Sequence, residues 1–211
     1  MLDNLQNYNI ILASNSPRRR ELLSGLGIPF EVKVLPGIDE SYPPGLPVEQ
    51  IAQHIAHAKA EAYRQQLTSP TSTPVSGSSA DSCHAASAPL IITADTIVIV
   101  DDEVLGKPHD ADDARRMLRA ISGRTHQVIT GVCLTTSERQ RCFSVTTDVT
   151  FKTLSEEEID YYIATYRPFD KAGAYGIQEW IGYIGVTGLN GSYFNVMGLP
   201  VQRIYSELQD F

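Results

Sequence analysis

The segment Ser14-Asn15-Ser16-Pro17-Arg18-Arg19-Arg20 places three cations behind a serine and a proline that suit the start of a helix. Free backbone N–H groups and the helix dipole make such a terminus attractive to anions. Arginines are disfavoured in that first turn for the same electrostatic reason, so three together demand a compensating negative charge. A phosphate chain supplies it through bidentate guanidinium contacts. The plainer alternative is a solvated basic face capped by Ser16, and on this segment alone the two weigh equally.

Asp95 is the sharpest single residue. It interrupts the apolar, β-branched run Ile91-Ile92-Thr93-Ala94-Asp95-Thr96-Ile97-Val98, and Thr96 widens the break. A carboxylate inside a buried strand is costly unless paired or bound to a cation, a cost commonly tolerated at functional sites. The alternative is a structural aspartate satisfied by backbone N–H groups at a bulge. Lys59 and Lys107 could each meet a phosphate as a point charge. Glu40, in a proline-rich loop beside Asp39, offers hard oxygen for magnesium or manganese if it approaches Asp95. In Asp170–Gln178 the glycines allow close backbone approach, and Gln178 offers the donor and acceptor that suit a base edge. His54 and His57 share a helix face but lack a third ligand. No GxxxxGK[ST], GxSxG or HExxH motif occurs, which removes the commonest phosphate-loop, serine-hydrolase and zincin readings.

The elements that must position these residues follow from the hydrophobic pattern. Asn9–Ala13 reads as a buried strand leading through a polar loop into a helix that starts at Pro17, carries Leu22, Leu23 and Leu26, and ends by Gly27. Phe30–Leu35 reads as a second strand and Pro36–Pro47 as a loop. Val48 to about Leu67 reads as a helix with Ile51, Ile55, Ala58 and Ala62 inward. Thr68–Pro89 is rich in Ser, Thr, Ala and Pro and reads as a flexible surface insertion at about 68–89 in which Cys83 and His84 are incidental. Leu90–Val100 is a strand that turns at Asp101-Asp102 through Glu103–Leu105. A helix capped by Asp110 runs to Ile121. His126–Thr135 and Arg141–Thr150 pair as strands. Ser155–Tyr166 is a helix with a Ser155/Glu158 capping box. Asp170–Gly191 carries short strands and binding loops, and Pro200 opens a closing helix. The expected architecture is a single α/β domain over residues 1–211, with a mixed sheet flanked by helices.

Composition narrows the function classes. The 211 residues carry a formal net charge of −8, which disfavours general binding to nucleic acid or an anionic membrane but leaves room for a local basic pocket. The three cysteines, odd in number and without CxxC spacing, argue against a disulfide framework or a cysteine zinc site and suit a reducing compartment. No apolar run is long enough to span a bilayer, and the polar start lacks a secretory pattern, so the cytoplasm is expected.

Together these segments resemble the Maf-type nucleoside triphosphate pyrophosphatases. The similarity rests on ASNSPRRRELL at Ala13–Leu23, ADTIV at Ala94–Val98, LGKP at Leu105–Pro108, SGRTHQVITG at Ser122–Gly131, DKAGAYGIQ at Asp170–Gln178 and GSYFNVMGLP at Gly191–Pro200. They occur in the family's order and span nearly the whole chain apart from the insertion. The resemblance implies an α/β fold related to inosine triphosphate pyrophosphatases, with two lobes around a central cleft. It implies hydrolysis of a nucleoside triphosphate to the monophosphate and pyrophosphate with a divalent cation, Mg²⁺ or Mn²⁺. Carried over by motif, Asp95 is the general base, Ser14, Arg18 and Arg19 bind phosphates, Lys59 and Lys107 face them, and Glu40 is an acidic site residue that with Asp95 holds the metal. Arg18, Thr96 and Gln178 fall where the family sets base specificity. AYGIQ with GSYFNV is similar to the branch acting on dTTP and UTP rather than its sister preferring 7-methyl-GTP. Trp180 departs from the small residue expected after GIQ and is placed at the pocket rim. The resemblance also points to a homodimer and to a link with cell-division arrest and septum formation. Two rivals remain: a non-catalytic nucleotide sensor acting through a division partner, and a nucleotidyl- or phosphotransferase.

Overall fold

The structure, a computed structural model, describes residues 2–68 and 88–211. Of the expected insertion, Thr68 closes a helix and Ala88-Pro89 open a strand; residues 69–87, with Cys83 and His84, lie outside the described residues. The elements in chain order are β1 (Tyr8–Leu12), α1 (Pro17–Ser24), β2 (Glu31–Val32), α2 (Val48–Thr68), β3 (Ala88–Val100), β4 (Glu103–Leu105), α3 (Ala111–Ile121), β5 (Thr125–Thr135), β6 (Gln140–Phe151), α4 (Glu156–Tyr166), α5 (Trp180–Gly185), β7 (Val186–Asn190), α6 (Tyr193–Val196) and α7 (Val201–Gln209). The strands form one seven-stranded mixed sheet in the order β2-β1-β3-β5-β6-β7, with β4 on β3. β1 lies parallel to β2 and β3; the remaining pairs are antiparallel.

One detail of this pairing makes the cleft. β1 and β4 both pair with the same strand, β3, and β5 takes its other edge from Ile91 to Ile99. β1 covers Ala88–Ile92 and β4 covers Val98–Val100. Along that edge, residues 93–97 are left without a strand partner. The notch falls at Ala94-Asp95-Thr96, where the sequence breaks its apolar run.

Side chains alternate between the two faces of a strand. On one face, Leu90, Ile92 and Ala94 pack with Leu22, Leu23, Ile204 and Leu208 from α1 and α7. Further along the same face, Val98 and Val100 pack with Met117, Leu118, Ile163 and Ile181 from α3, α4 and α5. Thr96 sits between these two cores, so the lobes part at its position. The opposite face lies under α2, where Ile97, Ile99 and Ile129 meet Ile51, Ala52 and Ile55. Gly131, opposite Asp95 in β5, lets this helix sit close: a Cβ there would lie 2.4 Å from the Ala52 carbonyl.

Several expectations are corrected. The second strand shrinks from Phe30–Leu35 to Glu31–Val32, because beyond it the chain is held by a side chain instead: the Tyr63 hydroxyl donates to the Lys33 carbonyl at 2.8 Å and accepts from the Leu35 N–H at 2.9 Å. α2 buries Ala52, Ala56, Ala60 and Tyr63 with Ile51 and Ile55, while Ala58 and Ala62 are half-buried. Cys133 and Cys142 face each other across β5 and β6 and form a disulfide, against the expectation drawn from cysteine count and spacing. Counting cysteines could not reveal it, because the hairpin register brings the two together. Asp170–Gly191 holds one strand, but also the helix α5.

His126 is a buried core residue on β5. Its Nε2 lies 2.7 Å from the Tyr175 hydroxyl, its ring packs against Phe151 and Tyr175, and burial lowers its pKa from 6.5 to about 4. The unfolded chain takes up the proton first as pH falls, so this group's contribution is intact above pH 6.5 and is lost as pH drops towards 4. Between pH 7 and pH 5 it should remove about 2 kcal/mol of unfolding free energy. Urea unfolding across that range, with NMR of the His126 ring, checks this; a ring titrating near 6.5 in the folded protein would contradict it.

Candidate active site

The notch opens into a cleft of about 720 Å³, within the usual range for small-molecule sites. All nine residues singled out from the sequence line it: Ser14, Arg18, Arg19, Glu40, Lys59, Asp95, Thr96, Lys107 and Gln178.

The phosphate-type wall is the loop from β1 into α1. Ser16 caps the helix by accepting from the Arg19 N–H, and Pro17 fills the first helical position, where a missing N–H costs nothing. Buried Ser14 accepts from the Ser16 N–H at 3.2 Å and so shapes the loop. Arg19 is spent largely on the protein itself. Its Nε donates to the Gly198 carbonyl at 2.8 Å and one terminal nitrogen to the Ala94 carbonyl at 2.9 Å. The other terminal nitrogen donates to Thr96 Oγ1 at 3.1 Å. Thr96 in turn meets Thr130 Oγ1 at 2.9 Å, and Thr130 donates to the Asn195 carbonyl at 3.1 Å. The guanidinium therefore plugs the open edge of β3 and ties it to the chain before α7. Burial lowers its pKa while Asp95 opposes the shift. Arg18 reaches across to Asp170 at 2.9 Å. Arg20 is exposed, with one long contact to the Asn15 carbonyl, and lies outside the cleft lining.

On the other face of β3, Asp95 meets α2. Lys59 Nζ lies 2.8 Å from Asp95 Oδ1 and 2.8 Å from Glu40 Oε1, so one ammonium bridges two carboxylates. The Asp95 and Lys59 side chains are only 15% and 13% exposed, enough for water or a ligand to reach an otherwise enclosed ion pair. Burial alone would raise the Glu40 pKa; Lys59 first, then Lys107 and Arg19, outweigh it and hold the carboxyl below its usual value. Lys107 is exposed and close enough to Glu40 to act on its charge. Gln178 also lines the cleft, with its Oε1 buried and without a hydrogen-bond partner.

Asp170 and Lys171 also line the cleft, although sequence reasoning gave them no role. The signal was an adjacent acid–base pair inside the DKAG segment, which composition alone could not distinguish from a solvated turn. Trp180, expected at the rim, instead starts α5 and packs edge-on against Tyr161 at 4.8 Å, outside the lining residues. Among the described residues, no three His, Cys, Asp or Glu side chains cluster as a metal site. His57 stands near Glu61, in line with a surface helix face.

The sequence pattern of the Maf-like protein family matches residues 9–211. The chain belongs to that family. This Maf-like protein is 62% identical over 209 residues to a dTTP/UTP pyrophosphatase of Phocaeicola vulgatus, covering 99% of each chain. It is 56% identical over 211 residues to a dTTP/UTP pyrophosphatase of Porphyromonas gingivalis, covering all of this chain and 98% of that one. Among solved structures, a HAM1 protein from Coxiella burnetii aligns over 97% of this chain and 100% of its own, with a TM-score of 0.46 and 13% identity. At that level the likeness is no argument about chemistry.

Arg19 yields a test of the clamp. Lysine keeps the charge but cannot span two carbonyls and a hydroxyl in one plane. Arg19→Lys should lower stability by about 1–3 kcal/mol, the scale of lost charged hydrogen bonds, as read by urea unfolding. Wild-type stability in this variant would show that the clamp contributes nothing.

Proposed function

We propose that this Maf-like protein hydrolyses dTTP and UTP, and modified pyrimidine nucleotides with the same base edge, to the monophosphate and pyrophosphate. The observation that carries the reading is a carboxylate, Asp95, set among Lys59, Arg18 and Arg19 in a cleft that Gln178 also lines. The names of the close relatives support the same chemistry and the same bases.

A triphosphate carries several negative charges. Arg18, Lys107 and the uncommitted N–H donors of Arg19 offset them and stabilise the charge that builds on departing pyrophosphate. Asp95 orients a water against the α-phosphorus and accepts its proton. Lys59 holds Asp95 in place and keeps it from repelling Glu40. Glu40 Oε1 and Asp95 Oδ1 converge on the Lys59 ammonium, and the hard oxygens of such a carboxylate pair, together with substrate phosphates, commonly hold magnesium or manganese. A divalent cation would be held by Glu40 and Asp95 only with Lys59 displaced from between them, and would then neutralise phosphate charge as a Lewis acid. Once the side chain turns its buried Oε1 into the cleft, the Gln178 amide suits both the imide N–H and the carbonyl of thymine or uracil. We place this activity in the cytoplasm, where nucleoside triphosphates are abundant; among the described residues no helix is long and apolar enough to cross a membrane.

Purified protein tested on a nucleotide panel, with monophosphate and pyrophosphate as readouts, should cleave dTTP and UTP much faster than CTP, ATP or GTP. Binding without hydrolysis would favour the sensor reading. Asp95→Asn should lower turnover by at least ~10²-fold with folding retained, the scale of a lost general base. Near-normal turnover would remove Asp95 from that role. Gln178→Ala should shrink the dTTP/CTP ratio of kcat/KM more than it slows the disfavoured substrates. An unchanged ratio would place base selection elsewhere.

A further inference from the structure

The turn that brings Gln178 to the cleft has little regular structure of its own. It lies between a 3-10 turn at Ala172–Ala174 and α5. A chain of polar groups holds it from beneath. Tyr162 of α4, buried in the core, accepts from the Gly176 N–H at 3.0 Å and donates its hydroxyl proton to Glu179 Oε2. The other oxygen of Glu179 lies 3.1 Å from Lys171 Nζ. Lys171, only 9% exposed, also donates to Asp170 Oδ1 at 2.7 Å, and Asp170 Oδ2 accepts from Arg18 at 2.9 Å. The Gly176–Gln178 turn and Arg18, both in the cleft lining, are thus the ends of one chain of alternating charge. The packing is close. A Cβ on Gly176 would lie 3.0 Å from Gln178 Nε2, 3.0 Å from Glu179 Cδ and 3.1 Å from Lys171 Cε.

Base selection by an amide requires a fixed amide. Donor and acceptor sit on the same group, so a glutamine free to turn over could pair with cytosine as readily as with uracil. Selectivity then depends on what prevents that rotation, and Gln178 Oε1 has no protein partner to do so. We propose that Tyr162, Glu179 and Lys171 are positioning residues for base selection. They fix the Gly176–Gln178 turn and, through Asp170, the Arg18 side chain, in the one arrangement that discriminates between base edges. The inference rests on the function proposed above. Burial, reinforced by Glu179, pushes the Tyr162 phenol pKa up, so its proton stays in place to hold Glu179.

Two variants test this. Tyr162→Phe removes one hydroxyl and keeps the ring that stacks on Tyr166. Glu179→Gln leaves Tyr162 an acceptor but breaks the Lys171 ion pair. kcat/KM is measured over the nucleotide panel, and the ratio between the triphosphates that wild type cleaves fastest and slowest is compared, with melting temperature alongside. Both variants should lower that ratio by about tenfold or more, chiefly through a higher KM for the favoured substrate, with kcat/KM for the slowest kept within about threefold. An unchanged ratio, or one common loss on every substrate, overturns the proposal and leaves the network a purely structural role. If Tyr162→Phe does not fold, Glu179→Gln decides alone. A wild type that favours a purine overturns the pyrimidine reading, while the ratio still reads this one; a wild type that cleaves no triphosphate overturns both.

Discussion

β3 is thirteen residues long, and its partners on one edge cover only its two ends. The backbone exposed between them has to be satisfied, since a buried, unpaired carbonyl costs about as much as a lost hydrogen bond. Arg19 meets that requirement with a side chain instead of a strand, donating to the Ala94 carbonyl while its other nitrogens hold Gly198 and Thr96. A guanidinium brings a positive charge that a strand would not. The same gap that divides the two cores therefore also makes the cleft basic on its α1 side. Asp95, projecting from the other face of the notch, becomes tolerable because α2 supplies Lys59 against it. Gly131 is what lets α2 sit close enough for that contact.

The charges in the cleft are balanced in small steps. Lys59 is shared by Asp95 and Glu40; Asp170 is shared by Arg18 and Lys171. Buried ion pairs add little net stability, because desolvation offsets their attraction, but removing one partner is severe. Such a network is better suited to fixing geometry than to adding stability. It also explains how a chain with net charge −8 can receive a polyanion: the overall field is screened within about 8 Å at physiological ionic strength, and inside the cleft the nearest cations dominate.

Much of this was legible in the sequence for physical reasons. Asp95 and Thr96 were visible because polar residues inside a β-branched run must be compensated. Ser16, Pro17 and the capping residues Asp110, Ser155 and Glu158 were visible because caps act locally and their chemistry is written within four residues. The resemblance then assigned roles that spacing alone left open. What escaped notice depends on contacts distant in the chain. Tyr63 ends β2 from 28 residues away, Cys133 finds Cys142 only through the hairpin register, and Arg19 turns inward to Gly198. The contact of Tyr162 with Glu179 had no local signal, because only the fold brings α4 and the glycine turn together. Trp180 was misplaced because helix α5, which turns it towards Tyr161, has too few residues to show a period.

The central claim is that the cleft directs water at the α-phosphorus of a bound triphosphate. Hydrolysis of dTTP in ¹⁸O-enriched water, with mass analysis of both products, tests it most directly. The proposed mechanism predicts the heavy oxygen in dTMP and none in pyrophosphate, because in it the bond broken is the one between the α-phosphorus and the bridging oxygen. Label found in pyrophosphate, or release of inorganic phosphate instead, would contradict the account.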